Sequence, residues 1–141
     1  RKLRGEKGRV WVFMSDGEFE EGQTYEAIQA MCFYGLDNMG VYVDVNGQQV
    51  DGLTKDVMNI EPLDARIAAF GASVIRVNGH DISALVDAAA VAHPGQPHFI
   101  LADTNTAEGI PLLEHRKPHL HFVRFKDEAE KAEFVKFRET M

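Results

Sequence analysis

The sequence contains very little cysteine and no long hydrophobic run. Cys32 is the single cysteine, so no intrachain disulfide can form, and a reducing compartment such as the cytoplasm fits this usage. No apolar run approaches the ~20 residues that a membrane-spanning helix needs, and no signal peptide is visible. The six histidines follow neither a HExxH nor a CxxC pattern, so a zinc site has little support.

Positive charge is also scarce. The 141 residues include 15 Lys and Arg against 22 Asp and Glu, which gives a net charge of −7. A chain with this balance is not expected to bind nucleic acid or an anionic membrane. The hydrophobic fraction of 45% and the charged fraction of 26% are typical of a soluble globular protein, and the length suffices for one domain with its own core.

Strand-like and helix-like segments alternate along the chain. The predicted strands are 9–14, 39–45, 73–77 and 98–102, and the predicted helices are 21–34, 61–70, 82–92 and 127–141, the last of them amphipathic. Segment 48–59, with a turn at Asp51 and Gly52, and segment 104–121 are predicted to be loops. The alternation predicts an α/β fold with a parallel sheet flanked by helices.

Two predicted strands end in side chains that carry oxygen. The first stops at Ser15-Asp16-Gly17 and the second at Asn46-Gly47. Ligands bind at the carboxyl ends of strands in parallel sheets, so Asp16 and Asn46 are expected to face one site. Their oxygens suit Mg²⁺, which proteins hold together with substrate phosphates, and Gly17 allows a backbone N–H to approach a phosphate. The same residues are also common in ordinary turns.

These motifs resemble transketolase, especially the N-terminal subunits of split bacterial enzymes. Asp16 and Asn46 fit the GDG…N pattern of thiamine diphosphate enzymes, and the resemblance covers roughly the first 110 residues. The segments that carry it are 18–23, 25–27, 36–38, 43–47, 49–52, 61–63, 70–71 and 78–81. The resemblance implies that residues 1–141 form a thiamine diphosphate-binding domain that lacks its upstream N-terminal part.

The resemblance also implies a cofactor and a metal, thiamine diphosphate with Mg²⁺ or Ca²⁺. Asp16 and the Asn46 side chain would bind the metal together with the backbone carbonyl of Gln48. Gly17 and Glu18 would contact the diphosphate through their backbone N–H groups.

Four further residues have implied roles, each with a plainer interpretation beside it. Glu21 and Glu26 match transketolase acids that reach across a dimer interface toward the cofactor, or they are surface acids of a helix. His80 matches a loop histidine near the cofactor, or it fixes the turn before a helix. His121, with His119 as the alternative, matches a catalytic histidine that could stabilise an alkoxide or move a proton, or it belongs to a surface loop.

Some residues depart from the transketolase pattern. Ser15 replaces the usual Gly before the Asp, so the turn there is expected to be less permissive. Asp103, Thr106 and Glu108 stand where basic or Gly residues are common, and an acid that faces a diphosphate costs Coulomb energy. These departures favour a transketolase-like enzyme with a different donor or acceptor.

The function that the resemblance implies is that of a transferase. The chain would be the N-terminal subunit of an enzyme that moves a two-carbon ketol unit, or performs a related carboligation, from a ketone donor to an aldehyde acceptor. A C-terminal, pyrimidine-binding subunit would complete it as a heterotetramer or dimer of heterodimers, and this chain alone would be inactive. Two alternatives stay open: the α subunit of a thiamine-dependent 2-oxo-acid dehydrogenase, and a non-catalytic partner subunit that keeps the fold.

Overall fold

The computed structural model describes residues 1–50 and 52–141. In chain order the strands are β1 (Val10–Ser15), β2 (Met39–Val45), β3 (Gln48–Gln49), β4 (Gly52–Leu53), β5 (Ser73–Asn78) and β6 (His98–Asp103). The α-helices are α1 (Gly22–Phe33), α2 (Thr54–Val57), α3 (Leu63–Ala69), α4 (Ile82–Ala90) and α5 (Glu128–Arg138). Short 3-10 helices cover Lys2–Arg4, Asp16–Glu20 and Pro111–Arg116.

Four of the strands form one parallel sheet in the order β1, β2, β6, β5. The predicted α/β fold with a parallel, helix-flanked sheet is therefore confirmed. The chain passes from β1 to β2, skips one place to β5 and returns to fill the gap with β6. Such a reversal of strand order opens a crevice at the carboxyl ends of the strands, where open α/β sheets bind ligands.

The core lies on one face of the sheet, where alternate residues of the central strands meet α1 and α3. Val41 and Val43 of β2 are fully buried there against Ile28 of α1 and Leu63 and Ile67 of α3. The strand β6 is buried on both faces, which explains why its sequence is apolar almost throughout. This rigid centre fixes the positions of the loops that leave the strands.

The predicted loop over 48–59 is wrong in part. The segment contains the antiparallel hairpin of β3 and β4 followed by α2, and Gly52 and Thr54 are buried rather than exposed. Thr54 is held there because its N–H donates to the Gly47 carbonyl at 3.0 Å. The predicted turn involves Asp51, which lies outside the described residues.

The predicted loop over 104–121 is interrupted by the 3-10 helix Pro111–Arg116, whereas the C-terminal helix follows the prediction. Helix α5 forms, and Asp127 caps it by accepting a hydrogen bond from the Glu130 N–H at 2.8 Å. Its Phe134 packs against Phe125, and Arg116 lies over the Phe134 ring and pairs with Glu130, so α5 docks on the preceding loop. Within the two described ranges, none of the helices combines the length and apolar character that a membrane crossing requires.

Candidate functional site

A buried carboxylate marks the carboxyl end of β1. Asp16 is only 1% exposed. Its Oδ1 accepts the Gly17 N–H at 2.9 Å, and its Oδ2 accepts the Gly47 N–H at 2.8 Å and the Thr54 hydroxyl at 3.3 Å. Burial raises the pKa of the Asp16 carboxyl above its usual value, although these three hydrogen bonds oppose the shift. The carboxylate thus joins the end of β1 to the turn after β2.

The turn after β2 depends on Gly47. Its φ of +68° lies in the left-handed region that side chains disfavour, and its N–H donates to Asp16. The residue before Asp16 needs no such freedom: Ser15 is extended, with φ −94° and ψ 162°. A Ser at this position therefore fits without strain, and the expected difficulty at this turn is not seen.

The Asn46 carboxamide is held in one orientation. Its Nδ2 donates to Asp44 Oδ2 at 2.8 Å, and its Oδ1 accepts the Gln48 N–H at 2.8 Å. The other oxygen of Asp44 accepts the hydroxyl of Thr104, which follows β6. Asp44 therefore decides which atom of the carboxamide is the acceptor, and it links the loops after β2 and β6.

The loop after β6 is anchored at its first three residues. After Thr104, the Asn105 N–H donates to His80 Nε2 at 2.8 Å, and the Thr106 hydroxyl oxygen accepts from Gln48 Nε2 at 2.9 Å. In this contact His80 Nε2 is the accepting nitrogen. The contact supports the interpretation of His80 as a residue that fixes local structure, and a role toward a cofactor stays a prediction.

The structure brings His121 to the same end of the sheet as the predicted metal ligands. A cavity of about 90 Å³ is lined by Asn46, Gln48, Gln49, Thr106, Leu120 and His121. His119 is exposed, and its N–H donates to the Arg116 carbonyl. Of the two candidate histidines, His121 is therefore the one that lines a cavity with Asn46 and Gln48.

Asp103 at the end of β6 and Glu108 in the loop after it each accept hydrogen bonds from a neighbouring side chain. Arg76 binds both oxygens of Asp103 through Nε at 3.0 Å, and its Nη2 lies 2.9 Å from Glu61 Oε1. The Arg76 hydrogen bonds lower the pKa of the Glu61 carboxyl. Glu108 lies beside Asn105, whose Nδ2 donates to it at 3.3 Å. The Coulomb cost expected from Asp103 is therefore offset by Arg76.

The remaining predicted residues lie around the start of α1. Glu18 turns back, and its carboxylate accepts the Ser15 N–H at 2.7 Å. Glu21 and Glu26 are both exposed, and within the described ranges neither bonds to Asp16. Their exposure leaves them accessible to a second polypeptide, and their implied roles stay predictions.

The chemistry of these groups fits a hard cation. No group of three or more His, Cys, Asp or Glu among the described residues could hold a metal, so a site that consists of acids or imidazoles alone is not present there. The Asp16 carboxylate and the oriented Asn46 amide oxygen provide oxygen ligands, and the hydrogen-bond donors to Asp16 among the described residues are all neutral. A bound Mg²⁺ would supply the missing positive charge, and phosphate oxygens could complete its coordination.

Four residues of the site were given no role from the sequence. Thr54 gave no local signal, because its contact with Asp16 depends on the hairpin between β3 and β4. Asp44 could have been found, since it is the polar residue on an otherwise apolar strand. Arg76 and Glu61 are far apart in sequence, and only the sheet register brings Arg76 next to Asp103.

A parallel sheet with a strand-order reversal and with polar side chains at the carboxyl ends of its strands is typical of an α/β domain that binds its ligand at that edge. Residues 6–132 match the family described as the thiamine diphosphate binding domain of transketolase. The chain belongs to the transketolase family. The predicted resemblance is therefore confirmed.

Individual relatives agree with this assignment. A transketolase family protein of Sinorhizobium fredii is 46% identical over 127 residues, which are 87% of this chain and 45% of that protein. An apulose-4-phosphate transketolase subunit of Actinobacillus succinogenes is 38% identical over 132 residues, 93% of this chain and 48% of that relative. The transketolase of Campylobacter jejuni superposes with a TM-score of 0.67 at 29% identity, over 78% of this chain and 18% of that one.

The chain spans about half the length of the curated relatives that it matches. Relatives from Actinobacillus succinogenes, Phocaeicola vulgatus and a Clostridium species are named as transketolase subunits. None of these names points to a 2-oxo-acid dehydrogenase, so that alternative is not favoured.

Proposed function

We propose that this chain forms the diphosphate-binding part of a split transketolase. The enzyme would transfer a two-carbon ketol unit from a ketone donor to an aldehyde acceptor. The observation that carries the proposal is the contact of the buried Asp16 carboxylate with the Gly47 N–H, directly beside the oriented Asn46 carboxamide.

The proposed metal ligands are Asp16, the Asn46 Oδ1 atom and the Gln48 backbone carbonyl, and the metal is Mg²⁺ or Ca²⁺. Asp16 would supply negative charge, and Asp44 would keep the Asn46 oxygen directed to the metal. The backbone N–H groups of Gly17 and Glu18 would be the diphosphate contacts. When bound, thiamine diphosphate supplies the thiazolium carbanion that adds to the donor carbonyl.

The side chains that act on substrate would lie around this centre. His121 lines the cavity next to Asn46 and would hold or move a proton on the substrate oxygen. His80 would act indirectly, because it fixes Asn105 at the start of the same loop. Glu21 and Glu26 are exposed and would face the cofactor site of a second polypeptide.

The names of the relatives, which describe them as subunits, support a partner. We place the pyrimidine-binding domain on a C-terminal subunit, in a heterotetramer, and the complex in the cytoplasm. The departures at Thr106 and Glu108 favour an acceptor or donor other than the ordinary sugar phosphates.

The test is calorimetry of thiamine diphosphate with Mg²⁺ on the chain co-purified with the subunit that its neighbouring gene encodes. Asp16→Ala should abolish binding, because the metal loses its carboxylate. Asp87→Ala, an exposed acid on α4, is the matched control and should bind like the wild type.

Two results would contradict the proposal. If the wild-type complex binds no cofactor, the assignment of a cofactor site at Asp16 fails. If it binds the cofactor but shows no ketol transfer with any donor, the chain is instead the non-catalytic subunit that keeps the fold.

A further inference from the structure

Two buried histidines stack on each other at the amino ends of the strands, away from the candidate site. His93 follows α4 and is 6% exposed, and His98 begins β6 and is fully buried. Their ring centroids are 4.5 Å apart, and the ring planes differ by 10°. Histidine is a polar residue of only intermediate burial in proteins, so two of them in contact here need partners for all four ring nitrogens.

Each ring donates from one nitrogen to a backbone carbonyl. His93 Nδ1 lies 2.8 Å from the Gln96 carbonyl oxygen, and His98 Nε2 lies 2.9 Å from the Ala88 carbonyl oxygen. A carbonyl oxygen only accepts, so these contacts assign a proton to each of the two nitrogens. The bond from His98 joins the start of β6 to the last turn of α4.

The other nitrogen of each ring accepts. Arg9 Nη2 donates to His93 Nε2 at 3.3 Å, and the direction of this bond is fixed because a guanidinium has no acceptor. The Ser73 hydroxyl lies 3.0 Å from His98 Nδ1. Arg9 also donates to the Ala89 carbonyl at 3.0 Å, so the pair connects the start of β1 with the end of α4 and with the starts of β5 and β6.

The charged and titratable groups around the pair would stabilise an added proton only weakly. Arg9 is a cation in contact with His93. The carboxylate of Asp37 attracts positive charge on His93, but it is already paired with Lys2. On α4 the acid Asp87 is exposed, and on β2 the Tyr42 hydroxyl donates to a backbone carbonyl of α4.

A proton on either ring disfavours the closed arrangement. At His93 Nε2 it would face the Arg9 guanidinium, which cannot accept it. At His98 it would place a positive charge in a fully buried position against the second ring. Burial lowers the pKa of His98 below its usual value, and the charges of His93 and Arg9 lower it further, although the hydrogen bonds to Ala88 and Ser73 oppose the shift.

We propose that the His93–His98 pair is an acid-sensitive latch, which holds the end of α4 on the sheet and releases it when the pair takes up a proton. The latch lies at the opposite end of the sheet from Asp16, so it does not depend on a bound cofactor. Because the folded-state pKa of His98 is lowered, the stability from this residue is fully present above the unfolded value of 6.5. It is lost as the pH falls from 6.5 through the folded-state pKa.

The experiment follows the full 141-residue chain by NMR between about pH 7.5 and about pH 5, the range in which histidine titrates. Ring nitrogen chemical shifts report which nitrogens carry protons, and amide hydrogen exchange, corrected for its intrinsic pH dependence, reports local opening. His93→Gln keeps an oxygen that can accept from Arg9 and removes the titrating ring. His115→Gln is the matched control, because it removes an exposed histidine from the 3-10 helix Pro111–Arg116.

At the upper pH the wild type should carry one proton on each ring, at His93 Nδ1 and at His98 Nε2. As the pH falls, the amides of Val91 and Gln96, which bond beside the pair, should lose protection about tenfold, the change that one linked proton produces over one pH unit. The amide of Gly79, bonded to the Asp103 carbonyl at the opposite end of the sheet, should keep its protection.

The variants identify the group that titrates. In His93→Gln the loss of protection should disappear, and in His115→Gln it should match the wild type. Arg9→Gln is a second variant that leaves both buried rings in place, since Arg9 is exposed. Because it removes a cation beside the pair, it should move the titration of the His98 ring to higher pH.

Three results would overturn the inference. The first is that Val91 and Gln96 keep their protection while the exposed histidines titrate, which would make the pair a structural contact only. The second is that His93→Gln loses protection as the wild type does, or, where this variant does not fold, that Arg9→Gln leaves the His98 titration unchanged. The third is that Gly79 loses protection together with Gln96, because the whole domain then unfolds and no latch opens.

Discussion

Asp16 is a buried carboxylate whose desolvation disfavours the charged form, and it is also the proposed metal ligand. It is buried, and the groups that bond to it are neutral N–H and O–H donors. The fold therefore favours its protonated form, and burial is the main reason why its pKa is raised. The cation of the proposed function would remove this cost.

The raised pKa of Asp16 leads to a prediction about pH. A group whose folded-state pKa lies above its unfolded value of 3.8 contributes stability below that value and loses it as the pH rises through the folded-state pKa. The free energy of unfolding of the wild type, minus that of Asp16→Asn, should therefore decrease from pH 3.8 upward and then level off. Urea unfolding of both proteins without metal, across this pH range, measures this difference. A difference that rises with pH would contradict a raised pKa for Asp16.

Thr104 helps to orient the Asn46 carboxamide indirectly. Its hydroxyl donates to Asp44 Oδ1, and Asp44 Oδ2 accepts a hydrogen bond from Asn46 Nδ2. Thr104→Val keeps the shape and removes this donor. Affinity of the complex for thiamine diphosphate with Mg²⁺ should fall about tenfold or more, as is usual when a residue that orients a metal ligand is changed. Calorimetry checks this against Thr140→Val, whose hydroxyl donates to the Phe137 carbonyl, at the end of α5 and away from Asp44. Equal affinities of the two variants would show that Asp44 orients the Asn46 carboxamide without the hydrogen bond from Thr104.

At the scale of elements, Arg76 joins β5 to β6 and to the segment before α3. Its side chain is 32% exposed, and the side chains of Glu61 and Asp103 are 42% and 48% exposed. Arg76→Met should therefore cost only about 1 kcal/mol, because partly exposed pairs contribute ~0–1 kcal/mol each.

Salt provides the control for this loss. In 1 M NaCl the difference between the wild type and Arg76→Met should shrink, since exposed charges are screened. Lys131→Met removes the more exposed pair with Glu128 inside α5 and should cost about 0.3 kcal/mol or less. Urea unfolding compares the three proteins, and a loss at Arg76 that does not depend on salt would mean that packing, not charge, is involved.

Among the elements, the sequence predicts the ends of the strands but not the contacts between segments that are distant along the chain. The strand ends at Asp16 and Asn46 were predictable, because apolar runs that stop at polar turn residues are local patterns. The hairpin of β3 and β4 was not, since its two-residue strands carry no period, and it places Thr54 under Asp16 through non-local contacts. The pairing of Arg76 with Asp103 depends on the register between β5 and β6, which no local pattern encodes.

At the scale of the whole molecule, the sheet face opposite the core is unevenly covered. Tyr42 lies on this face, and its hydroxyl donates to the Leu85 carbonyl of α4. Phe13, stacked on Tyr42 at 5.4 Å between ring centroids, is 77% exposed, and Val86 of α4 is 61% exposed. Together with Trp11 beside Tyr42, these side chains form an apolar surface that extends from β1 to α4.

An apolar surface of this kind favours association. We expect the 141-residue chain on its own to self-associate in sedimentation velocity experiments. Phe13→Lys should weaken the association at least about tenfold, because burial of a phenylalanine side chain is worth about 1.5–3 kcal/mol. Phe122→Lys is the control, since Phe122 is equally exposed at 76% but lies in the loop after β6. If both lysine variants associate like the wild type, another surface is responsible. If only Phe13→Lys is monomeric, the uncovered half of the sheet is the part of this domain that requires a neighbour.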